Sequence, residues 1–165
     1  MKILILYASH SGNTESIALH AKDMLIDSGH QARLMDVSRD NELNLCGEDH
    51  IIFGCSTHGD GELNAEAEAF FDKLRAENAD LDKVRAAIFG LGESVYPDFC
   101  RAAELAKDEF EFLNARVISP ILKIDMMDFD QVKRTRDLSA WLDEVCRAFC
   151  MEADPDVWHS PTGAM

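Results

Sequence analysis

Small hydroxyl and amide residues follow the first apolar run of the chain and form a candidate anion site. Residues 3–6 (ILIL) predict a strand buried on both faces, and a helical period of apolar residues begins at Glu15. The loop between them reads SHSGNT. Backbone N–H groups and the positive end of the helix dipole meet there, and Ser9, Ser11, Asn13 and Thr14 add side-chain donors. This set suits one terminal phosphate monoester bound without a metal.

The same loop lacks the residues of two common nucleotide sites. It has no lysine or arginine, so it is not the G-x-x-x-x-G-K-[ST] loop of nucleoside triphosphatases. It also lacks G-x-G-x-x-G, which disfavours a dinucleotide pyrophosphate. A plainer interpretation stays open, in which the loop is only a capped helix start whose hydroxyls serve the backbone.

Strand and helix patterns alternate along the chain and predict an α/β fold. The sheet is expected to be parallel, five-stranded and doubly wound, covered by helices on both faces, with strand order 2-1-3-4-5. In that order the loops after strands one, three and four meet at one edge, where ligands bind in such folds. The predicted strands are residues 3–6, 31–35, 49–55, 86–91 and 115–124, and the predicted helices are 15–25, 65–74, 100–113 and 128–149, the last with Val132 among its inward-facing residues.

Composition narrows the class of partner. The formal net charge is −15, from 31 acidic and 16 basic residues, which disfavours nucleic acid and favours basic protein surfaces; solubility alone is the alternative explanation of the acidity. No apolar run approaches the ~20 residues of a membrane span, and no signal peptide is evident. The five cysteines are scattered, which predicts a reducing cytoplasm. Cys146 and Cys150 are interpreted as inert thiols rather than metal ligands.

Three ordered motifs give the chain a family resemblance. YASHSGNTE, STHGDG and FGLGESVYPDFC together resemble flavodoxins of the short-chain type, and the last is also similar to the flavodoxin-like domains of diflavin reductases. The resemblance extends over about residues 1–149. It implies a flavodoxin-like three-layer sandwich with bound FMN as a one-electron carrier. Residues 1–150 are therefore predicted to form one FMN-binding domain, followed by a tail at 151–165.

By this resemblance the first loop binds the FMN phosphate. Ser11 stands where threonine is commoner in the family, and the hydroxyl is retained. Neutral donors bonded to a charged oxygen contribute about 1.5–3 kcal/mol each, so several support tight binding without a cation. The implied phosphate residues are Ser9, His10, Ser11, Gly12, Asn13 and Thr14.

The second loop is expected to tune the flavin. By resemblance, the peptide after Gly59 flips and its carbonyl accepts a hydrogen bond from flavin N5 once N5 is protonated. His58 occupies a position where many relatives place an aromatic ring, and an exposed loop histidine is the alternative interpretation. The implied residues are Ser56, Thr57, His58, Gly59, Asp60 and Gly61.

The third loop is expected to hold the flavin ring. Tyr96 would stack on its outer face, and the neighbouring residues would flank its pyrimidine edge mainly through backbone groups. Glu93 departs from the aspartate or asparagine usual in the family. The implied residues are Leu91, Gly92, Glu93, Tyr96, Phe99 and Cys100.

Acidic residues near these loops predict the redox behaviour. Asp60, Glu62, Glu93 and Asp98 disfavour an anionic, fully reduced flavin. A repulsion of about 4 kcal/mol would lower the second potential by about 170 mV. The expectation is a stabilised neutral semiquinone and a strongly negative semiquinone/hydroquinone couple.

The chain is therefore predicted to be a monomeric electron carrier without catalytic or metal-binding residues. Its expected partners are redox proteins with basic docking surfaces, such as flavodoxin or ferredoxin reductases and their acceptor enzymes. Three alternatives stay open: an FMN-binding accessory protein of a reductase or biotin-synthesis system, an NAD(P)H-dependent flavin or quinone reductase, and a regulatory module without flavin. The tail is interpreted as a flexible end, with a docking or site-covering segment as the alternative.

Overall fold

Three adjacent strands, buried on both faces, form the centre of the sheet. The computed structural model describes residues 1–39, 44–58 and 60–152, with the backbone alone at residues 58 and 152. β1 (Lys2–Ala8), β3 (His50–His58) and β5 (Arg85–Gly92) lie side by side in parallel. Near-continuous apolar sequence is typical of such doubly covered strands, which is why these three were predictable.

The outer strands complete the predicted order, with one strand divided. β2 (Gln31–Asp36) pairs with β1 at one edge. At the other edge β6 (Arg116–Val117) and β7 (Leu122–Asp125) both pair in parallel with β5, and together they occupy the place of the predicted fifth strand. Pro120 lies in the gap, where its missing N–H matters little, and its carbonyl accepts a bond of 2.9 Å from Trp141 Nε1.

One strand was not predicted. β4 (Glu62–Leu63) pairs antiparallel with the end of β3, which extends three residues beyond the predicted limit of residue 55. A two-residue strand has too few positions to show an alternating apolar pattern. The chain folds back immediately after β3, and the β3–β4 pairing anchors both ends of the loop that contains residues 60–61.

Helices cover both faces of the sheet. α2 (Ala65–Ala76) and α3 (Arg101–Phe112) pack on one face around Phe53, and the Phe71 and Phe110 rings meet edge-on at 5.3 Å. α1 (Asn13–Asp27) and α4 (Gln131–Glu152) pack on the other face, where α4 contributes Leu138, Trp141, Leu142, Val145 and Phe149. None of the helices in the described part of the chain combines the length and apolar character needed to cross a bilayer.

The final helix differs from its prediction. α4 begins at Gln131, three residues late, and ends at Glu152, beyond the predicted domain boundary at 150. Val132 is 78% exposed, so its predicted place in the core is wrong. It precedes Leu138 by six residues and lies about 120° around the helix from the buried stripe. Residues 153–165 of the predicted tail lie outside the described residues.

Candidate functional site

A cavity of about 670 Å³ opens at the carboxyl ends of the strands. Its walls come from the loops that follow β1, β3, β5 and β7, because these parallel strands end at the same edge. The structure thus brings together the three loops that the sequence analysis selected, and adds a fourth.

Eleven of the eighteen predicted site residues line this cavity. Five others belong to the same loops but do not line the cavity: Ser9, Gly12, Thr14, Gly61 and Cys100. The His58 side chain and all of Gly59 lie outside the described structure, as does the predicted peptide flip. The lining residues that were predicted are His10, Ser11, Asn13, Ser56, Thr57, Asp60, Leu91, Gly92, Glu93, Tyr96 and Phe99.

The first loop presents the start of α1 to the cavity. Gly12 caps the helix at φ +90°, and no side chain caps the helix N–H groups. The Gly12 N–H instead donates to Ser9 Oγ at 2.9 Å, which closes the loop on itself. Thr14 is buried at the first turn. Ser9 therefore serves the backbone, as the plainer interpretation expected, but no side chain caps α1, and its first-turn N–H groups lie at the cavity end of the sheet.

Asn64 joins the first two loops and was missed by the sequence analysis. Its buried side chain donates from Nδ2 to the carbonyl of Ala8 at 3.0 Å and lies 3.5 Å from Ser56 Oγ. Its Oδ1 accepts from the N–H of Ala67 at 2.9 Å and so caps α2. An asparagine directly before a helical pattern signals a cap, whereas the bond to β1 depends on tertiary structure that no local pattern reveals.

Gly61 sets the distance between the second and third loops. Its φ is +92°, and a Cβ built there would lie 2.8 Å from Asp98 Cβ and 2.9 Å from Arg101 Cδ. Only glycine fits both the backbone conformation and the space. Gly61 therefore supports the cavity from behind and does not line it.

The third loop is attached to the fourth through Asp125. Its Oδ1 accepts from the N–H groups of Ser94 at 3.1 Å and Met127 at 3.0 Å. The Ser94 hydroxyl also donates to this carboxylate, and this bond is the largest cause that lowers the pKa of Asp125. The N–H of Met126 donates to the Gly92 carbonyl at 2.8 Å. These bonds place Met126 in the cavity wall, a position that no motif indicated.

Cys100 faces the protein interior. It is fully buried at the start of α3, and its Sγ lies 3.4 Å from the Gly90 carbonyl. Burial raises the pKa of this thiol to about 11, so it is neutral. Its side chain therefore does not line the cavity. Burial likewise raises the pKa of Cys146 to about 11, and the described residues contain no cluster of three metal-ligating side chains.

The cavity lining combines two kinds of chemistry. Ser11, Asn13 and Ser56 offer polar donors, and Leu91, Tyr96, Phe99 and Met126 offer apolar surface. No lysine or arginine is among the described residues that line it, and three carboxylates are: Asp60, Glu93 and Asp98. A flat apolar ring with a phosphate tail matches this distribution.

Comparison with known proteins identifies the family. The flavodoxin family matches residues 5–136. The chain is 34% identical over 149 residues to a flavodoxin of Nitratidesulfovibrio vulgaris, which covers 88% of this chain and 97% of that one. The chain belongs to the flavodoxin family. This membership confirms the predicted fold class and FMN as the predicted cofactor.

Further relatives agree with both parts of the predicted resemblance. Oxidised Flavodoxin 2 from Bacillus cereus superposes with a TM-score of 0.79 at 37% identity, covering 92% of this chain and 99% of that one. The sulfite reductase [NADPH] flavoprotein alpha-component of Neisseria meningitidis is 33% identical over 152 residues, which are 92% of this chain and 24% of that protein. The similarity to diflavin reductases is thus confirmed for the part of that protein that aligns.

Proposed function

We propose that this flavodoxin-family chain is a low-potential one-electron carrier that binds FMN in the cavity at the carboxyl edge of the sheet. The observation that supports this most directly is the convergence of three separated motifs on one cavity, whose lining includes both polar donors and apolar side chains. The FMN-binding unit comprises residues 1–150, and the eighteen residues identified in the sequence form its site.

The phosphate is held by the loop before α1. Ser11 and Asn13 line the cavity, and the first N–H groups of α1 add donors aligned with the helix dipole. Ser9 acts indirectly, because its oxygen holds the Gly12 N–H and fixes the turn. Thr14 is buried and contributes through its position in the first helical turn.

The isoalloxazine ring lies against the third and fourth loops. Tyr96 is 62% exposed at the cavity and stacks on the outer ring face, excluding water from it. Leu91, Phe99 and Met126 form the apolar wall behind the ring. Peptide groups around Gly92 would serve the polar ring edge, and the bond from flavin N5 to the Gly59 carbonyl stays a prediction of the family resemblance.

The surrounding charge sets the redox range. Asp60, Glu93 and Asp98 line the cavity, and the guanidinium of Arg101 lies 3.6 Å from the Asp98 carboxylate. Negative charge beside the ring disfavours the anionic hydroquinone and leaves the neutral semiquinone stabilised. The carrier then shuttles between these two states with basic redox partners.

The chain is proposed to have no reductase activity of its own. It acts as a monomer in the cytoplasm and receives electrons from a separate reductase. The alternative enzyme function predicts that the purified protein oxidises NADPH directly with a quinone as acceptor. An assay with and without an added NADPH-dependent reductase distinguishes the two, since a carrier consumes NADPH only when the reductase is present.

A stepwise anaerobic reduction followed by visible spectroscopy tests the proposal. We expect the reconstituted protein to bind one FMN per chain and to pass through a blue neutral radical at neutral pH. Tyr96→Leu retains apolar volume without the aromatic ring, and we expect it to stabilise the radical less. A protein that binds no FMN, or one that is reduced without a radical at pH 7, would overturn the carrier function.

A further inference from the structure

A carboxylate lies beside the proposed phosphate loop. Glu66 is in the first turn of α2, and its Oε1 lies 3.9 Å from Nδ1 of His10, which lines the cavity. Its second oxygen, Oε2, is buried and has no hydrogen-bond partner among the described residues. A buried carboxylate oxygen without a donor is costly, and a negative charge beside an anion site adds to that cost. A positive charge beside Glu66 would offset that cost.

We propose that protonated His10 lies between Glu66 and the phosphate of FMN and makes phosphate binding depend on pH. The inference rests on the proposed function and concerns how the same site is regulated. An imidazole changes its charge between pH 5 and 8, so it supplies a cation that the neutral donors of the loop do not. Protonated, it attracts both anions; neutral, it leaves Glu66 to repel the phosphate.

The charged groups around His10 determine the sign of the effect. Glu66 approaches from α2, Glu15 lies in the first turn of α1, and Asp60 and Glu93 line the same cavity. All four are carboxylates. On β1, burial and the carboxylates of Glu15 and Asp36 raise the pKa of Tyr7, so its phenol stays neutral. A proton on His10 therefore reduces local negative charge, and phosphate affinity should rise as pH falls from 8.5 to 6.5.

Comparison of FMN with riboflavin isolates the phosphate contribution. The apoprotein is titrated with each flavin at pH 8.5, 7.5 and 6.5, and flavin fluorescence gives the two dissociation constants. We expect the preference for FMN to increase about fivefold over this range, the upper end for an exposed ion pair. With a second pKa near 6, the phosphate is about one-quarter protonated at pH 6.5, which changes FMN affinity by less than about 1.5-fold and in the opposite direction.

Three variants assign the effect to its residues. His10→Gln should show a preference for FMN that does not change with pH. Glu66→Gln should increase that preference at pH 8.5, because it removes the repelling carboxylate. His20→Gln changes an exposed histidine on α1 that does not line the cavity, and it should retain the wild-type pH dependence.

The outcomes separate this inference from the proposed function. If the wild-type apoprotein binds neither flavin, the proposed function fails. If it binds FMN but the preference is constant across pH, or if His10→Gln retains the wild-type pH dependence, the inference is overturned. The His10 side chain is 66% exposed, so His10→Gln is expected to fold, and its riboflavin affinity verifies an intact ring site.

Discussion

Single residues at two positive-φ glycine turns show how closely the loops of the site are packed. Gly61 and Gly29 have nearly the same backbone conformation, with φ of +92° and +89°. Their surroundings differ, because a Cβ at Gly61 would overlap Asp98 and Arg101, whereas none of the described atoms lies within 4 Å of a Cβ at Gly29. Substitutions at Gly61 and Gly29 therefore distinguish the cost of backbone strain, which both share, from the cost of steric overlap, which only Gly61 has.

We expect Gly61→Ala to destabilise the apoprotein by about 2–4 kcal/mol and to weaken FMN binding, since the third loop must move away. Gly29→Ala should cost only about 1 kcal/mol, from its backbone conformation alone, and should leave FMN affinity unchanged. Urea unfolding and FMN titration measure both effects. Equal losses of stability in the two variants would show that the contact with Asp98 and Arg101 is unimportant.

His50 gives the core a defined sensitivity to acid. It is 8% exposed, lies 4.7 Å from the Phe149 ring and has no partner at Nε2 among the described residues. Burial lowers the pKa of its imidazole below the ordinary value of 6.5. The unfolded chain therefore takes up a proton at a higher pH than the folded chain does, and folding stability is lost as pH falls below about 6.5.

The test compares His50→Gln with His20→Gln in urea unfolding from pH 8 to 5. We expect the stability of His50→Gln to fall less steeply with acid than that of the wild type, although it is lower at pH 8 because packing is lost. His20 is exposed on α1, so its variant should follow the wild type. A His50→Gln profile parallel to the wild type would contradict the assignment.

At the scale of elements, one carboxylate connects two loops of the site. Asp125, at the end of β7, accepts bonds from Ser94 and Met127, whereas the nearby Asp128 accepts from Asp130 and Lys133 within its own turn. The two aspartates have similar exposure to solvent but bind different segments. Asp128 is therefore a matched control for the connection made by Asp125.

We expect Asp125→Ala to weaken FMN and riboflavin binding by a similar factor of about ten, because it loosens the loop that carries Tyr96 and leaves the phosphate loop intact. Asp128→Ala should change neither affinity by more than about twofold. Fluorescence titration with both flavins measures the effect. Loss of FMN affinity alone would place the consequence at the phosphate end and contradict this role.

The elements also show which features a sequence can predict. β1, β3 and β5 were predictable because burial on both faces leaves continuous apolar runs in the sequence. The motifs that follow β1, β3 and β5 were predictable as one site, because parallel strands end at one edge. The bond from Asn64 to Ala8 and the bonds from Ser94 to Asp125 join residues more than 30 positions apart, so no local pattern reveals them.

Whether an individual side chain points into the core is the other feature that the sequence did not determine. Cys100 lies within a motif of the site, yet its side chain points into the core because the residue starts α3 at a positive φ of 56°. Val132 is apolar, yet it lies outside the buried stripe of α4. In both cases residue type was read correctly, and the missing information was the rotation of the chain at one position.

At the scale of the whole molecule, the charge of −15 should act on encounter rates. Attraction between an acidic carrier and a basic partner speeds association and is screened by salt. We expect the rate at which the reduced protein reduces cytochrome c, used here as a basic acceptor, to fall severalfold as salt rises from about 0.02 to 0.5 M.

Ferricyanide provides the matched control, because an anionic acceptor is repelled by the same protein. Its reduction rate should rise with salt under identical conditions. Stopped-flow measurement of both reactions gives slopes of opposite sign if long-range charge governs the encounter. Flat rates for both acceptors would show that the net charge serves only solubility.

The bonds to Asp125 imply that acid releases the bound flavin. Hydrogen bonds to the Asp125 carboxylate lower its pKa below the ordinary value. The stability that these bonds contribute is therefore fully present above the ordinary pKa of an aspartate and is lost as the pH falls through the lowered pKa. At that point the bonds through which Asp125 joins the third and fourth loops are lost, and the two loops separate. Brief acidification should release the yellow chromophore, and neutralisation should restore its binding.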